Sequence, residues 1–370
     1  MRFKPNFKSF SLYIIVLVFF NCKTENKEKN IKPITTETES YTILKEQPAD
    51  TKTPDGMVWV EGKTFLQGAK AGDKFAMMRE KPAHQVTVDG FFIDITEVTN
   101  KQFKAFVEAT NYITIAERPI DWELMKKELP QGTPKPHDSI LQPGSLIFNK
   151  NVNAVVNMSN YSQWWRWKIG ANWKHPDGPN SNIDGKDDFP VVHIALEDAQ
   201  AYCKWANRRL PTEAEWESTA QGKATDNIYT WGNNSAVLND MANTWQGEFP
   251  IKNESTDGFE FIAPVKSYKP NSIGVYDMLG NVWELTSDLF NVNYYRELDT
   301  SKVLINPKGA KKAFSPDNPY QQEHVIKGGS FLCHDSYCAS FRISARMGLS
   351  RDSGSDHTGF RTVATPKMLK

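Results

Sequence analysis

The chain has 370 residues, 24% of them charged and 39% hydrophobic, and its formal net charge is zero. That composition fits a folded protein of one large domain or two small ones, and zero net charge gives no whole-chain field to draw in nucleic acid or acidic lipid. Eleven Trp, twelve Tyr and 21 Phe, together with 22 Gly and 21 Pro, predict an irregular, loop-rich domain around an aromatic core and exclude a helical bundle.

The N-terminus reads as an address. Arg2, Lys4 and Lys8 form a basic stretch, and Phe10 to Phe20 an apolar one, at about eleven residues too short to span a bilayer comfortably. Cys22 follows Asn21 directly. A cysteine just past such a stretch resembles a bacterial lipoprotein cleavage site: residues 1–21 would be a lipoprotein signal peptide and Cys22 the lipidated first residue. Asn21 departs from that pattern, where a small residue is usual, and the alternative is a plain signal peptide with an incidental cysteine. Lipid chains would tether the protein to a membrane. Residues 22–55 are rich in Lys, Glu and Thr and poor in apolar side chains. They bury too little to offset ordering entropy and are expected to be a disordered tether, with the folded domain over 56–366.

No repeat of fixed period occurs, which argues against a solenoid or propeller. Met57 to Val60 opens the domain as a strand, and Gln85 to Asp94 alternates around a glycine and predicts a second strand or a hairpin. Thr99 and Gln102 have capping-box spacing. Phe103, Phe106 and Val107 then share one face of a short helix. Residues 115–190 carry Pro-Gly-Asn clusters and three close tryptophans, Trp164, Trp165 and Trp167, and read as irregular. A second helix fits Leu196 to Asn207, with Leu196, Ala199, Cys203 and Ala206 on one face. Thr212 and Glu215 cap a third, running through Trp216. Beyond Gly222 the chain reads as turns and short strands. The fold class is α+β, a single irregular domain with few short helices and short antiparallel strands.

Cysteine usage is the sharpest chemical clue. Of four cysteines, Cys22 belongs to the anchor and Cys203 to the apolar face of a helix, where a free thiol packs as a small core residue. Cys333 and Cys338 remain, in Gly328-Gly-Ser-Phe-Leu-Cys-His-Asp-Ser-Tyr-Cys338. In an exported protein such a pair makes a structural disulfide, or else a redox-active or metal-binding dithiol. With no second cysteine pair and no histidines at zinc spacing, two soft thiolates suit Cu(I) better than tetrahedral zinc.

Over roughly residues 56–364 the chain resembles the formylglycine-generating enzymes, the sulfatase-modifying factor family. The likeness runs through GMVWVEGKTFLQGA from Gly56, VDGFFIDITEVTNKQFKAFV from Val88, GANWKHPDGP from Gly170 and PVVHIALEDAQAYCKWANRRLPTEAEWE from Pro190. It continues through YTWGN from Tyr229, NTWQGEFP from Asn243, GVYDMLGNVWELTSD from Gly274, KGGSFLCHDSYC from Lys327 and GFRTV from Gly359. Several of these segments also occur in relatives of mixed function. GANWKHPDGP and the Cys-x4-Cys after Gly-Gly-Ser set the formylglycine-generating group apart.

The resemblance implies an irregular domain of the formylglycine-generating, C-type-lectin-like type and a specific chemistry. Cys333 and Cys338 would hold Cu(I), a substrate cysteine would join as a third sulfur ligand, and O2 would be reduced as that cysteine becomes an aldehyde, formylglycine. Ser330 would line the oxygen pocket and Trp283 form its aromatic wall, although Ser330 also reads as a backbone-bonding turn residue and Trp283 as core. His334 would orient the loop or bond substrate, and Trp173 and His175 are candidates for the substrate groove. Two structural Ca2+ sites are implied as well, calcium taking about six to eight oxygens and suiting irregular loops. One would use the Asn243 and Asp257 side chains with the Thr244 and Phe259 carbonyls. The other would use Asp277 and Glu284 with the Gly280 and Val282 carbonyls. Asp277 stands where many relatives have Asn. Where secretory-pathway members pair the position of Cys203 with a second cysteine, this chain has Thr362, so Cys203 should be free. Residues 290–319 and 115–168 show little placeable likeness, and the latter should border the substrate groove.

The expected function is therefore copper- and O2-dependent oxidation of a cysteine in an unfolded sulfatase-type polypeptide (Cys-x-Pro-x-Arg), at the cell envelope, with the domain facing the periplasm or exterior. The membrane is reached through the lipid anchor alone, and no nucleic acid is involved. Two rivals stand beside it. A non-catalytic envelope scaffold lipoprotein would not need the two C-terminal thiols, and a thiol–disulfide oxidoreductase would work without copper or oxygen.

Overall fold

Runs of short strands and runs of short helices follow one another in the computed structural model, which describes residues 41–370. In chain order they are β1 (Met57–Val60), β2 (Lys63–Gln67), β3 (His84–Val88), β4 (Phe91–Asp94), α1 (Asn100–Thr110), α2 (Trp122–Met125), β5 (Gly144–Phe148) and β6 (Trp165–Ile169). Then come α3 (Leu196–Trp205), α4 (Glu213–Gln221), α5 (Leu238–Met241), β7 (Gly247–Glu248), β8 (Lys252–Asn253), β9 (Trp283–Leu289) and β10 (Leu304–Ile305). β11 (Glu323–Lys327), β12 (Met347–Ser350), β13 (Thr358–Gly359) and β14 (Val363–Ala364) close the chain. The class is α+β, as the sequence predicts.

Helices α1 and α4 start where their caps say. Thr99 accepts from Gln102 N while the Gln102 side chain accepts from Thr99 N, and Thr212 and Glu215 repeat the exchange at α4. Each box satisfies two donors that a helix start leaves orphaned. Phe103 and Phe106 are buried and Val107 half-buried, which puts the predicted face of α1 into the core. There Phe103 meets Trp173, Tyr202 and Phe360 at ring distances of 5.2, 6.0 and 6.4 Å. Burying each such ring contributes roughly 1.5–3 kcal/mol, and this aromatic cluster is the centre of the domain.

The strands form small sheets: β1-β4-β14, β10-β3-β2, β12-β11-β9-β13, and the pairs β5-β6 and β7-β8. All four residues of β4 are buried, because it lies between two neighbours with both faces covered. Most pairings are antiparallel, but β10 runs parallel to β3 and β13 parallel to β9. Gln85 to Asp94 is no hairpin. β3 joins β2 and β10 while β4 joins β1 and β14, so the chain changes sheet at Asp89-Gly90. Gly90 is needed there, since a Cβ would run into the Trp59 ring. The irregular stretch 115–190 contains one two-stranded hairpin, β5-β6, in register from Gly144↔Ile169 to Phe148↔Trp165.

Part of the segment expected to be a tether lies on the domain. Leu44 N donates to Asp89 Oδ1 (2.9 Å), Leu44 O accepts from Gly90 N (2.6 Å), and Lys45 O accepts from Gly62 N (3.2 Å) and the Trp59 indole (3.1 Å). Composition predicted disorder because the strip has few apolar side chains, but it is held by backbone hydrogen bonds, which composition does not register. The expected signal peptide 1–21, the expected lipidation site Cys22 and the expected tether up to residue 40 lie outside the described residues.

Candidate functional site

β11 ends at Lys327 and the chain turns through Gly328 and Gly329, whose φ angles are 90° and 75°, left-handed backbone that favours glycine. A Cβ on Gly329 would meet the Ser340 and Phe341 backbone at 2.9 and 3.0 Å. The glycine pair thus lets Ser330 run against the segment that follows Cys338.

Ser330 O accepts from Cys333 N at 2.9 Å, and Ser330 N points to Cys333 Sγ at 3.4 Å. One carbonyl winds the rest of the loop: His334 O accepts from Tyr337, Cys338 and Ala339 N at 3.0, 2.9 and 3.0 Å. This brings the Cα atoms of Cys333 and Cys338 to 5.5 Å and joins their sulfurs as a disulfide. Cys333 is buried and Cys338 half-buried, so an incoming group meets Cys338 first. Cys203 is free and buried, and burial pushes its thiol well above the ordinary range.

The structure brings Ser330 to this pair, links Trp283 to Ser330 through His357, and adds residues the sequence did not single out. Ser330 is fully buried; its Oγ accepts from Leu332 N at 3.3 Å and lies 3.0 Å from His357 Nδ1. His357 O accepts from Trp283 N at 2.8 Å, and the His357 ring sits 4.7 Å from Trp165. Trp283, nearly buried, shares the central apolar cluster with Cys333. Burial, with His193 close by, pushes His357 down to a pKa of about 3, which keeps it neutral. His193 is itself pushed down to about 4 by burial. Its φ is 62°, its Nε2 lies 2.9 Å from Pro176 O, and its Nδ1 is buried without a partner. Asp356 accepts from Phe148 N at 2.8 Å through Oδ2, while Oδ1 is buried and unpartnered. Burial pushes this carboxyl up to about 7.

The other candidates sit further out. Trp173 is nearly buried against Phe103, with its indole N–H unpartnered. With Tyr112, Glu117 and Lys174 it lines an opening of about 480 Å³ beside α1. His175 ties its own loop, Nδ1 lying 2.5 Å from Ser181 O and its N–H meeting Asn172. His334 Nδ1 lies 2.7 Å from Ser336 Oγ and accepts from Ser336 N at 3.2 Å, so the ring braces the turn between the two cysteines.

Among the described residues no three His, Cys, Asp or Glu side chains converge to hold a metal. None of the expected centres needs such a cage, since copper would use two thiolates and each calcium site two side chains with two backbone carbonyls. The donor set of Cys333 and Cys338, once reduced, suits Cu(I). At the first calcium position Asn243 Oδ1 is a buried acceptor with no partner, the kind of oxygen a cation would satisfy. Asp257 lies beside it, accepting from Thr244 N (2.9 Å) and Phe259 N (3.1 Å), and burial raises its pKa. At the second position the residues fit calcium less well. Both Glu284 oxygens are taken by Arg361, with Trp216 Nε1 on one of them, and Asp277 Oδ2 accepts from Lys266 N at 2.7 Å. Asp277 is pushed up to about 6 by burial. Glu97, missed in the sequence, adds a buried carboxylate with one unpartnered oxygen.

Residues 43–366 match the family described as the sulfatase-modifying factor enzyme 1-like domain. A formylglycine-generating enzyme from Thermomonospora curvata is 38% identical over 312 residues, 84% of this chain and 94% of that protein. A mouse protein described as inactive Cα-formylglycine-generating enzyme 2 is 35% identical over 84% of this chain and 85% of its own length. Among solved structures, PvdO from Pseudomonas aeruginosa has the same fold, with a TM-score of 0.55 at 20% identity over 84% of this chain and 94% of that one.

Proposed function

We propose, for a chain that belongs to the sulfatase-modifying factor family, that the protein oxidises a cysteine of a sulfatase-type polypeptide to formylglycine. The observation that carries this reading is the pairing of Cys333 with Cys338 against Ser330, in a chain whose active relatives bear the enzyme's name. In the overall reaction the substrate thiol-bearing methylene, O2, two electrons and two protons become an aldehyde, hydrogen sulfide and water, so a reductant is required. Reduced Cys333 and Cys338 would hold Cu(I), whose chemistry is to accept a further thiolate and pass electrons to dioxygen.

The chain's own residues do the positioning. Half-buried Cys338 faces the incoming thiol, and buried Cys333 anchors the pair. Ser330 supplies a fixed hydroxyl beside them. Trp283 would wall the site, and Trp165, tilted against His357 at a ring distance of 4.7 Å, marks the side from which an extended peptide with a Cys-x-Pro-x-Arg motif would enter. Ca2+ at Asn243, Thr244, Asp257 and Phe259 would pin the loop that precedes Trp245, whose N–H donates to Cys333 O at 3.0 Å. A lipid on Cys22 would hold the domain at the cell envelope, where exported sulfatases emerge.

A peptide containing Leu-Cys-Thr-Pro-Ser-Arg, incubated with the domain, Cu(I), a reductant and air, tests the reading by mass spectrometry. Loss of sulfur with aldehyde formation is expected, absent without O2 and in Cys338→Ala. A second reading, a non-catalytic envelope module, draws on the likeness to the inactive mouse protein. It becomes the better one if folded, metal-loaded protein converts neither the peptide nor a full-length sulfatase.

A further inference from the structure

We propose that His357 is a positioning residue for this reaction: its Nδ1 accepts the Ser330 hydroxyl proton and so leaves Ser330, whose backbone N–H lies 3.4 Å from Cys333 Sγ, with a hydroxyl lone pair open as an acceptor. The proposal rests on the oxidase reading above for its kinetic consequence, but not for the hydrogen bond itself.

A serine hydroxyl has one proton and two lone pairs. At Ser330 one lone pair is taken by Leu332 N–H, 3.3 Å away. The proton must also go somewhere, because the side chain is fully buried and a buried donor without an acceptor is costly. Ser330 Oγ has one other polar neighbour among the described residues, His357 Nδ1 at 3.0 Å. If Nδ1 carried the ring proton, two donors would fill both lone pairs and the hydroxyl proton would be left unpaired. With the ring proton on Nε2, the Ser330 proton has its acceptor in Nδ1 and one lone pair of Ser330 stays open.

The two tautomers therefore give Ser330 opposite faces. One offers an acceptor that can align an incoming S–H or peptide N–H. The other offers a donor. The fold holds the ring where the first arrangement is made. His357 O is fixed by Trp283 N at 2.8 Å, β13 begins at the next residue, and the ring lies against Trp165. One residue thus ties Ser330, Trp283 and Trp165, which come from three separate parts of the chain.

The test pairs spectroscopy with kinetics. In 15N-histidine NMR spectra of the full domain, His357 Nδ1 should show the shift of an unprotonated nitrogen, and that signal should move in Ser330→Ala. In peptide conversion His357→Phe, which keeps a ring against Trp165, should lower kcat roughly tenfold, the weight of one hydrogen bond, with KM little changed. His357→Asn, which carries an amide oxygen within reach of Ser330, should recover most of that loss. In a Ser330→Ala background His357→Phe should cost nothing further. A protonated Nδ1, or an equal loss in both backgrounds, would overturn the proposal. Wild-type protein that shows the expected tautomer yet converts no peptide would refute the oxidase reading and leave the assignment of His357 standing.

Discussion

Arg361 grips Glu284 with two parallel hydrogen bonds, Nε to Oε2 and Nη2 to Oε1, each 2.7 Å long, and both side chains are fully buried. Trp216 Nε1 donates to the same carboxylate at 2.8 Å, while Arg361 also donates to the carbonyls of Asp94 and Tyr276. The pair links β4, α4, β9 and the segment after β13. Removing one partner leaves an uncompensated buried charge, which costs about 3–5 kcal/mol. Arg361→Met should therefore lose about that much stability in urea unfolding, and Arg361→Met with Glu284→Met should regain part of it. A single variant within about 1 kcal/mol of wild type would mean that the neighbouring groups reorganise around the loss.

The three cysteines of the described domain should differ in reactivity. The thiolate is the reactive form, and burial in apolar surroundings suppresses it. After mild reduction, half-buried Cys338 should be alkylated first, buried Cys333 more slowly, and Cys203, with its thiol pushed well up, only on unfolding. Peptide mapping of a timed alkylation reads the order. Labelling of Cys203 as fast as Cys338 in native protein would contradict the packing of α3. Cys203→Ala should leave peptide conversion within about twofold of wild type, whereas Cys333→Ser should abolish it.

Local signals were legible in the sequence and tertiary ones were not. Thr99 with Gln102 and Thr212 with Glu215 fixed two helix starts, because a cap is an interaction over three residues. Cys333, Cys338 and Ser330 were findable for the same reason, lying within nine residues of one another in a turn-forming segment. His357 is 27 residues from Ser330 and meets it only because β13 pairs with β9. The one clue in the chain was a histidine two residues ahead of Gly359-Phe360-Arg361. The apparent hairpin at Asp89-Gly90 misled for the converse reason. Its local pattern suits a turn, but Asp89 is held by Leu44 N and Asn306 from distant segments, which turn the chain into another sheet.

Calcium at Asn243 and Asp257 should act as a stabiliser that chelation removes. A ligand bound only to the folded state adds roughly 2–3 kcal/mol at about a hundred times its dissociation constant. EGTA treatment should therefore lower the thermal midpoint by several degrees, and added Ca2+ should restore it. Asp257→Ala should be less stable from the outset and indifferent to either. If EGTA-treated protein melts where untreated protein does, and equilibrium dialysis finds no bound Ca2+, the unpartnered Asn243 Oδ1 is satisfied by water instead.

Asp356 gives a pH dependence whose sign can be worked out. Burial raises its folded pKa from the ordinary 3.8 to about 7, so the folded protein keeps a proton that the unfolded chain releases. Stability from this group is fully present below about pH 3.8 and is lost as the pH rises through about 7. His193 and His357 work in the other direction. Their folded pKa values, about 4 and 3, lie below the ordinary 6.5, so their stability is present above 6.5 and lost as the pH falls through those values. The wild-type profile mixes the two, but Asp356→Asn removes the first alone, with an isosteric side chain that does not titrate. The stability of Asp356→Asn relative to wild type should rise between about pH 4 and 8 by about 1–3 kcal/mol and then level off. Urea unfolding at a series of pH values measures the difference. Parallel curves would show that Asp356 ionises in the folded state as freely as in the unfolded one, through a water or cation at its unpartnered Oδ1.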